Sequence, residues 1–466
     1  MDPLSMRIRV AVMLAVGVIV LGVVVPRPAA APDRRPNIVL IVSDDQTWES
    51  LPHDPPVMPF LQSAMRDPED HWVTFPNAFV NTPLCCPSRA SILTGRYSHH
   101  TGVRRNRDGA LLDEGDTLAV WLHDAGYATG LFGKYLNRYP FEGAPYVPAG
   151  WDRWGGKIHG SGSTVYYGYS ISRQGYPVAY DRGPADYSTD VFARMAVDFV
   201  RTAPPDRPFF LMFTPTGPHS PWTPAPRDRG SWTGPVLQPE SVGERDVSDK
   251  PAWVRALPPL GSAARVRLGA EHRLEYETLA SVDDAVRSVV EAVRARGEMG
   301  RTVFVYLSDN GYSYGEHRWV TKSCPYEECI RTPLAIRMPG TEARTDPHLV
   351  SSVDLAPTLA ELAGAHPGAP FDGVSLVPLL QGRSPARWRT GVLCEYVGSR
   401  EVPGWWELRT ADLAYVEYVT GERELYDLAG IRGRPDPLEL ENRVDDPRYA
   451  SLEASLAKRL DRLRAG

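Results

Sequence analysis

Lysine is scarce in this chain. Lys134, Lys157, Lys250, Lys322 and Lys458 are the whole complement, and arginine supplies the rest of the 51 basic residues. Arginine therefore meets the general need for surface charge, and the position of each lysine becomes informative. Cysteine is also rare: five in 466 residues are too few for a disulfide scaffold. No repeated C-x-x-C pair occurs, which argues against a zinc site of that kind. Cys85 and Cys86 are adjacent, while Cys324 and Cys329 flank a CPYEEC segment. A disulfide is open to that second pair in an oxidising compartment, although a helix between them would strain it. Excess positive charge is missing too, and a net charge of -6 argues against nucleic acid as a partner. What remains is an ordinary globular composition, long enough for one large core and a smaller second unit.

Arg7 and Arg9 precede an unbroken apolar run at residues 10–25, followed by Pro26-Arg27-Pro28-Ala29-Ala30-Ala31. About 16 apolar residues fall short of the roughly 20 that span a bilayer comfortably and suit a secretory signal. An Ala-x-Ala match ends at Ala31, but Pro32 follows and hinders cleavage. Residues 1–31 are read as a signal peptide or an uncleaved N-terminal anchor, the one route to a membrane. Both place the folded part outside the cytoplasm.

Strand-like runs then alternate with helical patterns. Asn37–Ser43 (NIVLIVS) suits a strand buried on both faces. A helix at 117–125 leads to a strand at 128–132, a helix at 189–203 to a strand at 208–213, and a long helix at 271–296 to a strand at 302–307. This order predicts an α/β domain over 36–389, with a large, mostly parallel sheet flanked by helices. Strand candidates at 390–396, 405–410 and 413–420, with a helix at 447–463, predict a small C-terminal antiparallel subdomain over 390–466. Pro- and Gly-rich stretches at 140–162 and 215–259 read as long loops walling a substrate pocket.

Three segments carry chemistry. Ser43-Asp44-Asp45-Gln46 closes the first strand, where ligands gather in open α/β sheets. Adjacent carboxylates repel unless a cation lies between them; a turn is the plainer alternative. The strand at 302–307 ends in Ser308-Asp309-Asn310-Gly311, by itself a turn signal. Two such ends converging would offer hard oxygen ligands to Ca2+ or Mg2+. The third segment runs Cys85-Cys86-Pro87-Ser88-Arg89-Ala90-Ser91-Ile92-Leu93-Thr94-Gly95-Arg96. Pro87 suits a first helical turn, which sets Cys85 just before a helix N-terminus, where an anion is favoured. Arg89, one turn on, can grip an anionic oxygen. Taken alone, Cys85 is either a low-pKa thiolate nucleophile or half of a disulfide.

Cys85-x-Pro87-Ser88-Arg89 followed by Thr94-Gly95 resembles the signature of the type I, formylglycine-dependent sulfatases, whose cysteine is oxidised after synthesis. With the two acidic strand ends, the resemblance runs from about residue 36 to 430. Cys85-Cys86, Phe132-Gly133-Lys134-Tyr135-Leu136-Asn137, Pro218-His219-Ser220-Pro221-Trp222 and Leu279-Ala280-Ser281-Val282-Asp283-Asp284 are similar to the N-acetylglucosamine-6-sulfatase and heparan endosulfatase branch. The resemblance implies an alkaline-phosphatase-like fold. It implies a sulfated carbohydrate substrate, such as 6-O-sulfated N-acetylglucosamine or a glycosaminoglycan fragment. It also implies a formylglycine-generating enzyme as maturation partner, and Ca2+ (or Mg2+) held by Asp44, Asp45, Asp309, Asn310 and modified Cys85.

The same resemblance implies roles. Arg89, Lys134 and Lys322 would neutralise sulfate oxygens. One hydroxyl of the hydrated formylglycine (3-oxoalanine) at position 85 attacks sulfur, and its second hydroxyl later allows sulfate to be expelled. A thiol or serine lacks that second hydroxyl. His219, with Lys322 beside it, would protonate the departing sugar oxygen. Asn137, His317 and His100 are candidate substrate contacts. Trp151, Trp154 and Trp222 are sugar platforms or, more simply, packing residues. One departure stands out: many sulfatases carry Lys-x-His near Lys134, whereas Lys134-Tyr135-Leu136-Asn137 has no histidine. The base for sulfate release is therefore unassigned, with His219 and His317 as candidates. Two other readings stay open, a phosphate or phosphonate monoester hydrolase of the same superfamily and an inactive carbohydrate-binding homologue.

Overall fold

The alternation of side chains along Asn37–Ser43 feeds two cores. Ile38, Leu40 and Val42 enter one apolar cluster, and Val39 and Ile41 enter the other, as the two-residue period of a strand requires. Each fully buried branched side chain contributes about 1.5–3 kcal/mol, so this strand anchors both faces of the sheet. The computed structural model describes residues 35–159 and 165–465; residues 1–31, read from the sequence as a signal peptide or anchor, lie outside the described residues. Among those described, no helix is long and apolar enough to cross a membrane.

Asn37–Ser43 is central in a ten-stranded sheet. It pairs in parallel with Phe209–Thr214 on one side and Thr302–Ser308 on the other. Ala128–Gly133 and Arg153–Ile158 extend the parallel part beyond Phe209–Thr214, and a hairpin of Ser170–Arg173 and Tyr176–Ala179 closes that edge. At the other edge Leu334–Arg337 and Trp72–Thr74 add antiparallel pairs. Helices Ser188–Thr202 and Ser262–Ala295 cover the Val39 face. Cys85–Thr94, Leu118–Asp124 and Leu355–Ala363 cover the Ile38 face. The sheet is therefore mixed, mostly parallel and helix-covered, as expected.

The C-terminal sheet is an antiparallel meander of Val392–Tyr396, Trp405–Arg409, Leu413–Tyr418 and Arg423–Asp427. Leu393, Leu408, Tyr415 and Leu425 on one face pack against Leu456 and Leu460 of helix Ala450–Ala465. The other face joins Val392, Trp405, Val416 and Tyr426 to Tyr326, Cys324 and Cys329. The small sheet thereby buttresses the segment that follows Lys322.

Several local expectations change. The stretch 140–162, read as loop, contains the strand Arg153–Ile158, because its backbone completes the sheet despite a Gly155-Gly156 centre. The stretch 215–259 is irregular apart from the short helix Ala252–Arg255. The long helix starts at Ser262, nine residues before position 271. Trp151 and Trp154 are core residues, 7% and 2% exposed, and so are not sugar platforms. Cys324 and Cys329 do form a disulfide, with Cα atoms 5.7 Å apart. The feared helical strain does not arise, because the helix Glu327–Ile330 begins two residues before Cys329 and leaves Pro325 and Tyr326 to turn the chain.

Candidate active site

The parallel strands Asn37–Ser43 and Thr302–Ser308 end in register, Ser43 beside Ser308. Asp44-Asp45 and Asp309-Asn310 therefore emerge side by side at the carboxyl edge. The Asp45 N–H donates to Asp309 Oδ1 at 3.2 Å, and Asn310 Nδ2 donates to Asp45 Oδ1 at 2.7 Å. Asp45 adopts a positive φ of 63°, tolerated best by short polar residues. Gly311 is required by close approach, since a Cβ there would lie 2.0 Å from the Glu328 carbonyl oxygen.

Helix Cys85–Thr94 brings the third segment in from the Ile38 face, where Ala90, Ile92 and Leu93 are buried. It begins at Cys85 itself, two residues before Pro87, with Leu84 as N-cap. The Cys85 thiol donates to Asp44 Oδ1 and Asp45 Oδ1, each at 3.5 Å. Burial, reinforced by Asp45, pushes this thiol far above its usual range. The reading of Cys85 as a low-pKa thiolate is thus corrected: a helix N-terminus does not offset full burial beside carboxylates. Nor is Cys85 half of a disulfide; it is a free, buried cysteine.

Three cations face three carboxylates. Lys134 Nζ donates to Asp44 Oδ1 and Oδ2 at 2.9 and 2.6 Å. Lys322 Nζ donates to both oxygens of Asp45 at 2.6 and 2.7 Å and to Cys85 Sγ at 2.8 Å. Arg89 Nε donates to Asp309 Oδ2 at 2.7 Å, and its Nη1 to the Lys134 carbonyl at 2.7 Å. Arg89 Nη2 makes no hydrogen bond although it is buried. Burial raises the Asp44 carboxyl, but Lys134, His219, Arg89 and Lys322 together hold it far below the usual range. At Asp45 burial is likewise outweighed, by Lys322 and His219. Asp309 goes the other way, raised by burial and by Asp44 despite Arg89.

Lys134 reaches the cluster because Gly133 (φ 128°) lets its strand pass so close to Thr214 that a Cβ would sit 1.8 Å from the carbonyl oxygen. Lys322 is held by its backbone: Trp319 Nε1 donates to the Lys322 carbonyl at 3.0 Å, and Trp405 Nε1 to that of Ser323 at 3.0 Å. His219 Nε2 lies 3.4 Å from Asp45 Oδ2, and its Nδ1 pairs with the Ser220 carbonyl at 2.6 Å.

The structure thus brings together Asp44, Asp45, Cys85, Arg89, Lys134, His219, Asp309, Asn310 and Lys322. A cleft of about 220 Å³ opens beside them, lined among others by Asp44, Lys134, Asn137, Arg138, Lys157 and His219. Asn137 is one of the lining residues, and its buried Oδ1 has no partner. Two other predicted contacts engage other partners. His317 is fully buried, its Nδ1 2.8 Å from Glu244 Oε2 and its ring against Tyr326. His100 pairs with Asp372 at 2.8 Å. Neither pairs with the cluster. Sequence reasoning missed Arg138, Lys157 and His159 on the cleft wall; the rarity of lysine was the one signal that could have drawn attention to Lys157.

Residues 36–365 match the sulfatase family. The chain belongs to that family. Residues 315–466 of the sulfatase also match the family described as N-sulphoglucosamine sulphohydrolase, C-terminal. The sulfatase is 35% identical over 391 residues to the N-acetylglucosamine-6-sulfatase of Capra hircus, covering 79% of this chain and 68% of that protein. It is 34% identical over 388 residues to a Drosophila melanogaster protein named as an extracellular sulfatase, covering 80% and 34%. A protein solved with its substrate D-glucosamine-2-N,6-O-disulfate superposes with a TM-score of 0.78 at 24% identity, covering 92% of this chain and 98% of that one. The phosphonate monoester hydrolase of Agrobacterium radiobacter does so at 0.73 and 23%, covering 92% and 96%. These likenesses establish the alkaline-phosphatase-like fold, which sulfate and phosphonate ester hydrolases share.

Proposed function

We propose that this sulfatase removes sulfate from a sulfated sugar, 6-O-sulfated N-acetylglucosamine or a glycosaminoglycan fragment, with Cys85 matured to formylglycine as nucleophile. The observation that carries this reading is the convergence of Cys85 Sγ, two strand-end aspartates and two of the five lysines in one buried cluster. The names of the relatives at about 35% identity support the sugar.

A divalent cation fits the donors present. Asp44, Asp45, Asp309 and Asn310 supply hard oxygens, and Asn310 Oδ1 is buried without a partner. Asp44, Asp45, Cys85 and His219 also present ligand atoms within 4.8 Å of one another. Such an ion supplies Lewis-acid stabilisation of negative oxygen; Ca2+ is the first choice for an oxygen-only set and Mg2+ the second.

The chain's own residues account for the rest. Arg89, whose Nη2 makes no hydrogen bond, and the ammonium groups of Lys134 and Lys322 face the position where sulfate charge builds. Lys322, touching Cys85 Sγ, positions the nucleophile. His219, on the cleft side of Asp45, donates the proton to the departing sugar oxygen, which leaves as a neutral alcohol. Of the two histidines considered as base for sulfate release, His219 is the one that faces the cluster, so we assign it both duties in turn. Asn137 holds a substrate hydroxyl with its unpartnered oxygen. An extracytoplasmic setting agrees with the Cys324–Cys329 disulfide, since such bonds persist in oxidising compartments.

The test is a comparison of kcat/KM on N-acetylglucosamine-6-sulfate, an aryl sulfate and an aryl phosphonate monoester, using protein made alongside a formylglycine-generating enzyme. Sulfate esters should be preferred. A preference for the phosphonate would transfer the assignment to the monoester hydrolase reading, and inactivity on all three would favour a binding protein.

A further inference from the structure

The cleft beside the aspartates carries more positive charge than one sulfate needs. Lys134 is neutralised by Asp44 at 2.6 Å. Lys157 and Arg138 line the same cleft, yet among the described residues no carboxylate forms an ion pair with either. Lys157 Nζ donates to one backbone carbonyl, that of Val165, at 3.1 Å, and sits 5.9 Å from the centre of the Tyr169 ring. A half-buried ammonium held by one carbonyl and a ring face is under-compensated. Burial, with Lys134 adding repulsion, lowers Lys157 to about 8. His159, on the same wall, is pulled below its usual value by burial and then by Arg138, Lys157 and Lys134. Each of these groups therefore feels the positive field of its neighbours.

The strand fixes this arrangement. Arg153–Ile158 pairs on both sides, Gly155 beside Phe132 and Lys157 beside Ile171. Gly155 and Gly156 have no room for a side chain, because a Cβ would meet Met195 or Trp154 at 2.4 Å. Lys157 thus projects from a braced strand, and surface arginine already supplies the chain's general charge. It is the second of the chain's five lysines to line this cleft, beside Lys134.

We propose that Lys157 and Arg138 form a second anion subsite, which takes an anionic group of the substrate other than the sulfate being removed. This rests on the sulfatase reading and narrows it: the preferred substrate carries two anionic groups, the second being a sulfamate or sulfate on the same ring or a carboxylate on the next sugar. A charge-assisted hydrogen bond to such a group is worth about 10-fold or more in binding.

The experiment measures kcat/KM of the wild type, Lys157→Gln and Lys157→Arg on three substrates. These are N-acetylglucosamine-6-sulfate, D-glucosamine-2-N,6-O-disulfate, and N-acetylglucosamine-6-sulfate joined to a uronic acid; an aryl sulfate serves as control. The wild type should prefer one doubly anionic substrate by about 10-fold or more, and which one identifies the source of the second charge. Lys157→Gln should collapse that ratio and Lys157→Arg should restore most of it. Equal kcat/KM on all three sugars in the wild type overturns the subsite, as does a ratio that survives Lys157→Gln. Absence of turnover of every one of these sulfate esters by the wild type would instead strike the sulfatase reading. Calorimetry then tests the subsite without catalysis, comparing N-acetylglucosamine with the 6-desulfated form of whichever doubly anionic sugar is preferred, and equal affinities overturn it.

Discussion

At the scale of single residues, His219 is the group whose role is most separable from its neighbours. Its Nε2 faces Asp45 while its Nδ1 is fixed on a backbone carbonyl, which suits a proton donor aimed at a leaving oxygen. A sugar alkoxide needs that proton, whereas a 4-nitrophenolate does not. His219→Ala should therefore lower kcat on a sugar sulfate by about 10²-fold or more, with a much smaller loss on 4-nitrophenyl sulfate. Equal losses on both would assign His219 to binding or metal support. Most of this cluster was legible in the sequence, because Asp44-Asp45, Cys85 to Arg89 and Asp309-Asn310 each stand where a strand or helix must end. Lys157 and Arg138 were not, since a lone basic residue in a Gly-rich stretch gives no sign of which wall it joins. His317 misled for the opposite reason: its spacing places it near Lys322 along the chain, but the ring turns to Glu244 and Tyr326.

At the scale of elements, the segment around Lys322 is held by the Cys324–Cys329 disulfide, two tryptophan side chains and the C-terminal sheet. The disulfide closes a loop with a sequence separation of 5, so its removal should cost about 2 kcal/mol of stability. Cys324→Ser combined with Cys329→Ser should lower the Tm accordingly and reduce kcat more than it changes KM, because Lys322 loses its brace. An unchanged kcat would show that Trp319 and Trp405 suffice. The long helix offers a second test. Glu275 accepts from the N–H and Oγ1 of Thr47, both at 2.9 Å. Burial, helped by Glu49 and opposed by the Thr47 hydrogen bonds, raises its carboxyl from 4.5 to about 8. The folded state therefore holds this proton more tightly than the unfolded chain, and the associated stability is present below pH 4.5 and lost as pH rises through about 8. The Tm should fall between those limits, and Glu275→Gln should flatten the fall; an unaltered slope would exclude Glu275 as its source. Elements with apolar runs, such as Asn37–Ser43 and Phe209–Thr214, were readable from pattern alone. Arg153–Ile158 and Arg423–Asp427 were not. The first is a strand because neighbours pair with it, and in the second Glu424 is buried only by grace of hydroxyl donors from Tyr326, Tyr418 and Tyr426.

At the scale of the whole molecule, the large sheet gathers strand ends at one edge, and the small sheet braces the loop that brings in Lys322. That division of labour makes the site depend on both halves of the chain, which is why the resemblance extends well beyond the signature around Cys85. The account stands or falls on what that residue becomes. As a cysteine it is a buried thiol with its proton held tightly, poorly suited to attack and unable to release sulfate. Mass spectrometry of the proteolytic peptide containing Cys85, from protein made in its native host, measures this directly. Conversion to formylglycine lowers the peptide mass by about 18 units, through loss of sulfur and two hydrogens and gain of one oxygen. That shift is the expected result; a peptide carrying unmodified cysteine in catalytically active protein would contradict the account.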